Sequence, residues 1–114
     1  MEYREISDNY SVSGQILPED IAAVKAAGFN SVICNRPDDE QPGQPSADSV
    51  KQAAEAAGLE FRYIPVVSGQ ITEENVADQA AALEGLKGPV FAYCRSGARS
   101  TNLYMLVQQA KAQP

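Results

Sequence analysis

The chain contains no histidine, which excludes any Cys–His dyad as a way of activating a nucleophile. It has only two cysteines, Cys34 and Cys94. Two thiols sixty positions apart make neither a disulfide scaffold nor the clustered ligand pattern of a structural zinc site, and neither a metal nor a cofactor is expected. Basic residues are scarce as well: nine against fifteen acidic ones, for a formal net charge of −6. Such a balance argues against nucleic acid or an anionic membrane surface as the main partner, so any anionic ligand must be drawn in locally. No apolar run reaches transmembrane length, and the polar start Met1-Glu2-Tyr3-Arg4-Glu5 lacks signal-peptide character. The expected setting is the cytoplasm.

What is present reads as alternating strands and helices in a single domain over residues 1–114, with no linker or repeat to divide it. Ser11 to Gln15 suggests a short edge strand. Pro18 with Glu19 and Asp20 suits the first turn of a helix that runs to a C-cap at Gly28. Phe29 to Cys34 has strand character, and Cys34 is expected to pack at its end as an inert thiol. After a polar loop, Ser46 caps an alanine-rich helix to Gly58, Leu59 to Val67 forms the next strand, and Thr72 caps a third helix ending near Gly88-Pro89. Pro89 to Tyr93 is the last strand, and Leu103, Leu106, Val107 and Ala110 mark one face of a final helix from about Arg99 to Ala110. The pattern predicts an α/β fold, a mostly parallel sheet flanked by helices, with ligands at the carboxyl ends of the strands.

The chemistry concentrates in one such end, Cys94-Arg95-Ser96-Gly97-Ala98-Arg99-Ser100. A thiol closing a strand, followed by small residues that open a helix, lies beneath a ring of N–H donors and the positive helix end. Arg99 can fork onto two oxygens of a tetrahedral anion, and Gly97 lets the backbone approach closely. A Cys-x4-Arg loop is thus an anion cradle with a nucleophile at its floor. Arg95, Ser96, Gly97 and Ala98 are the expected binding residues around the catalytic set Cys94, Arg99 and Ser100. The segments after the other core strands, Asn35 to Glu40 and then Ser68 to Gln70, are candidates for the remaining walls; the plain alternative for Arg36, Asp38, Asp39 and Glu40 is a solvated loop.

With the loop, the alternating architecture and Asn35-Arg36-Pro37-Asp38-Asp39-Glu40 in hand, the chain resembles the phosphatase-like domain of the β-lactamase-hydrolase-like proteins. That family is similar in fold to dual-specificity protein tyrosine phosphatases. Its Cys-Arg-x-Gly-x-Arg-Ser pattern is matched by Cys94, Arg95, Gly97, Arg99 and Ser100, and the same loop is similar to that of the rhodaneses. Some members are fused to a metallo-β-lactamase-type persulfide dioxygenase, which implies such an enzyme as a partner and a link to sulfide metabolism. True tyrosine phosphatases carry Cys-x5-Arg preceded by histidine, whereas here Tyr93 precedes Cys94 and four residues separate it from Arg99. Where those enzymes place an aspartic general acid, this chain has about Ser68.

Two chemistries follow as expectations. The leading one is a sulfurtransferase: the Cys94 thiolate takes the outer sulfur of thiosulfate, from which sulfite leaves, or of a related donor such as a persulfide, from which a thiolate leaves, and the Cys94 persulfide passes its sulfur on. Arg95 and Arg99 would hold the donor, and the Ser100 hydroxyl would donate to the sulfur. The alternative is a phosphatase hydrolysing phosphomonoesters through a Cys94 cysteinyl-phosphate, with Asp38, Asp39 or Glu40 supplying the missing acid, a contribution typically worth about 10²–10⁴ in rate. A third reading makes the loop an anion-binding or redox-sensing module without turnover.

Overall fold

A computed structural model describes residues 1–112. Three strands, Tyr10–Ser13 (β2), Ser31–Cys34 (β3) and Val90–Tyr93 (β5), are buried at every position, as parallel strands covered on both faces must be. Arg4–Ser7 (β1) and Glu60–Tyr63 (β4) are more exposed and form the edges of a sheet ordered β1-β2-β5-β3-β4. Only β1 runs antiparallel to its neighbour.

Side chains alternate across the sheet with the strand period of two. Val32, Cys34, Phe91 and Tyr93 face one core, closed by Ile21 and Val24 of helix Ile21–Ala26 (α1) and Val50 and Ala54 of helix Ala47–Ala56 (α2). Ile33, Val90 and Ala92 face the other, closed by Ala82 of helix Glu73–Gly85 (α3) and by Tyr104 of helix Ala98–Ala112 (α4). The Tyr104 ring stacks on Tyr10 with centroids 4.4 Å apart. Helices thus lie on both faces, and the central strand β5 delivers its C-terminal end to the middle of the crevice where ligands bind in open α/β sheets. No helix among the described residues is long and apolar enough to cross a membrane.

The caps behave as their residue types require. Ser46 accepts from the Ser49 N–H, and Thr72 from the Asn75 N–H while the Asn75 side chain returns the bond. The differences from expectation have simple causes. The strand expected at the sheet edge is interior, because the polar segment Arg4–Ser7 pairs outside it; with charged and hydroxyl residues at three of four positions, β1 carries little apolar signal. Past Tyr63 the chain stays extended, the Ile64 and Val66 N–H groups donating to the Cys34 and Asn35 carbonyls. The third helix stops at Gly85. In α4, Leu103 and Val107 are buried, Leu106 is half-buried, and Ala110 faces solvent rather than the core.

Candidate active site

Cys94 follows β5 with no exposed surface. Its N–H donates to the Ser13 carbonyl at 3.2 Å, and the next carbonyl, of Arg95, accepts from the Gln15 N–H. The two segments lie so close that a Cβ on Gly14 would stand 2.9 Å from the Arg95 carbonyl oxygen, which is why glycine sits there. Beyond Cys94 the chain curls back over the sulfur: Gly97 takes the left-handed conformation with φ +95° and aims its N–H at Sγ from 3.0 Å. Burial alone would push the Cys94 thiol up. The backbone N–H groups of Ser100, Ser96, Gly97 and Arg99 outweigh it and hold the thiol below its ordinary value. Cys34 shows the contrast: burial pushes its thiol up, and it donates to the Arg36 carbonyl at 3.3 Å, an inert core cysteine as expected.

Ser100 has a different duty from the one expected. Its hydroxyl donates not to the sulfur but to Asn35 Oδ1 at 2.9 Å. Asn35 Nδ2 donates to Gln79 Oε1, Gln79 Nε2 to the Tyr10 hydroxyl, and that hydroxyl to the Ser100 carbonyl. The bonds form a closed circuit through β2, the residue after β3, α3 and α4, and all four residues are at most 1 % exposed. Every polar group in it is satisfied, so it fixes the first turn of α4, and with it the N–H of Ser100, beneath the sulfur.

Arg99 is nearly buried. Its Nη1 donates to Glu40 Oε2 at 2.7 Å and to the Val66 carbonyl at 2.9 Å, and its Nη2 to Glu40 Oε1 at 2.9 Å. Of the five N–H donors of a guanidinium, three are committed. The two left over, Nε–H and the second on Nη2, share the side edge of the plane and make a fork for two oxygens of an incoming anion. The positive charge of Arg99 is reinforced chiefly by Glu40, with Cys94 contributing.

The segment after β3 divides: Arg36 and Glu40 wall the cleft, while Asp38 and Asp39 lie exposed outside it. Arg36 is 3 % exposed and spans Glu40, Gln15 and Gln41 with Nε, Nη1 and Nη2 at 2.9, 3.0 and 3.2 Å. Glu40, held by Arg99 and Arg36, has its carboxyl lowered to about 2. It is an ionised clamp on Arg99, and in this arrangement it carries no proton to donate near neutral pH. Asp38 is turned away: its Oδ1 accepts from the Ala47 N–H at the start of α2. Asp39 is exposed, with φ 63°. Neither lines the cleft of about 680 Å³ over the loop, which is walled by Arg36, Glu40, Gln41, Ser68, Arg95, Ser96, Ala98 and Arg99. Ser68 thus stands at the mouth of the site, where an acid was looked for; Asn35, expected as part of a wall, supports the site instead, and so do Gln79 and Tyr10, which the sequence reading passed over. A signal for Gln79 exists, since it precedes buried Ala82 and Leu86 by three and seven positions and so lies on the apolar stripe of α3.

Comparison with known proteins bears on the chemistry. Two β-lactamase hydrolase-like proteins, from Agrobacterium fabrum and Xylella fastidiosa, are 39 % and 34 % identical over 106 residues, 93 % of this chain. The chain spans about a quarter of the length of these curated relatives. Among solved structures, a candidate phosphatase from Neisseria meningitidis superposes with a TM-score of 0.86 at 30 % identity, covering 97 % of this chain and 79 % of the other. The catalytic core of the PP-IP phosphatase Siw14 from S. cerevisiae does so at 0.72 and 11 % identity, covering 98 % and 67 %, a likeness of fold alone. The Neisseria structure is described as a candidate phosphatase and the matching family model as phosphatase-like, so sulfur transfer gains no support as the leading chemistry and the phosphatase alternative fits better. The model of the β-lactamase hydrolase-like protein, phosphatase-like domain matches residues 2–112, and the chain belongs to that family.

Proposed function

We propose that the domain is a cysteine-dependent phosphatase acting on phosphate monoesters or related phosphoryl compounds. One observation carries the reading: a buried thiol favoured as the anion by four loop N–H groups, next to an arginine with an unused side fork. The phosphoryl group would rest on the loop, its oxygens taking backbone N–H groups and the Arg99 fork. The Cys94 thiolate then attacks phosphorus in line; the S–P bond forms as the P–O bond to the leaving group breaks. Water next attacks phosphorus, the S–P bond breaks, and orthophosphate and the thiolate are released. No carboxylic acid is poised at the leaving oxygen, since Glu40 is ionised and Asp38 is tied to α2. Leaving groups that depart as stable anions are therefore favoured.

That same want of an acid is what favours sulfur transfer as the second reading, because sulfite leaves from thiosulfate without a proton. Paired assays separate the two. Expected is release of 4-nitrophenol from 4-nitrophenyl phosphate, abolished by Cys94→Ser, with no sulfur added to Cys94 by thiosulfate. Sulfur on Cys94 by intact mass, reversed by cyanide, with an inert aryl phosphate, would overturn the phosphatase reading.

A further inference from the structure

An acidic protein with five arginines, Arg4, Arg36, Arg62, Arg95 and Arg99, places three of them on the wall of one cleft, opposed there by the single carboxylate of Glu40. One phosphoryl group does not require this. Arg99 and the loop N–H groups meet the oxygens of a reacting phosphoryl at the floor, and Arg36 is spent on Glu40, Gln15 and Gln41. Arg95 differs from both: although it follows Cys94 directly, it is exposed on the rim, and among the described residues its side chain makes no hydrogen bond or ion pair. The cleft, at about 680 Å³, is far larger than a phosphoryl group alone and falls in the size range that encloses a small organic ligand.

We propose that Arg95 forms a second anion subsite, and that the substrate is a small molecule with another phosphate next to the reacting phosphoryl group, a phosphoanhydride. This rests on the phosphatase reading and deepens it. A phosphoanhydride meets both demands of the site: its leaving phosphate departs as an anion without a proton donor, and Arg95 stands on the rim to receive that charge. The exposed carboxylates of Asp38 and Asp39 on the neighbouring loop would repel the flanking residues of an acidic peptide, which favours a compact ligand.

The test is calorimetric titration of the intact wild-type domain with inorganic phosphate and with methylenebisphosphonate, a diphosphate analogue that cannot be hydrolysed. Bisphosphonate should bind roughly tenfold more tightly, and Arg95→Gln should bring the ratio of the two affinities close to one while Arg95→Lys retains most of it. Reading the ratio cancels any change in the phosphoryl seat itself. Equal binding of the two anions by the wild type, or a ratio untouched by Arg95→Gln, overturns the second subsite and leaves the phosphatase reading standing. Binding of neither overturns both.

Discussion

The Glu40 clamp gives the most quantitative expectation. Its carboxyl moves from 4.5 to about 2 in the folded protein, which taken at face value corresponds to roughly 3 kcal/mol. Glu40 is a quarter exposed at its side chain, so solvent screening reduces this to about 1–2 kcal/mol. Glu40→Gln keeps the shape but removes the charge, and sets an amide N–H group against the N–H donors of Arg99 or Arg36. For a domain of this size the melting temperature at pH 7 should fall by about 4–8 °C. The pH dependence carries a definite sign: a carboxyl lowered in the folded state stabilises fully above 4.5, and that contribution is lost as pH falls through about 2. Wild type and variant should therefore differ by a constant amount above pH 5, converge below it, and coincide near pH 2 in thermal melts followed by circular dichroism. Turnover of an aryl phosphate should drop by roughly tenfold, through misplacement of the Arg99 fork. A variant that melts with the wild type at pH 7 would refute the reasoning, since the clamp would then add nothing.

Cys94 should alkylate with iodoacetamide at lower pH than Cys34, because loop N–H groups favour one thiolate and burial disfavours the other; measured on each single-cysteine variant, the reverse order would misplace the nucleophile. Ser68→Asp puts a carboxyl at the mouth of the cleft and should raise turnover of alkyl phosphates by about tenfold while barely changing that of 4-nitrophenyl phosphate; equal effects on both would mean that position 68 does not reach the leaving oxygen. Gln79→Leu leaves the Tyr10 hydroxyl without its donor and should cost about 1–3 kcal/mol in urea unfolding, with Cys94 alkylation moving to higher pH as the first turn of α4 loosens.

The nucleophile loop was legible because its parts are contiguous: a buried strand, a thiol, a left-handed glycine and an arginine within ten positions. The α/β alternation and the Ser46 and Thr72 caps were legible for the same reason, each being a local preference of backbone and side chain. What the sequence did not disclose is partnership. Nothing local says that the acid in Asp38-Asp39-Glu40 meant for Arg99 is the third, or that Asp38 serves the helix start at Ala47. The Ser100 hydroxyl was read toward the sulfur because both lie in one short loop, yet its partner Asn35 comes from the segment just after β3. β1 escaped because edge strands need little apolar surface, and its four residues are chiefly polar.

The circuit of Ser100, Asn35, Gln79 and Tyr10 bears on how such a loop can be moved or altered. Each hydrogen bond points the same way round, and the circuit closes through the Ser100 backbone carbonyl, so changing Tyr10, Asn35 or Gln79 strands a donor on one side and an acceptor on the other, whereas losing the Ser100 hydroxyl strands only the Asn35 acceptor. Grafting Cys94 to Ser100 alone onto another α/β scaffold would carry the nucleophile but not its foundation. The smallest transplantable unit is discontinuous, the loop together with Tyr10, Asn35 and Gln79 from three other segments, and drift at these positions should proceed by joint replacement rather than by single steps.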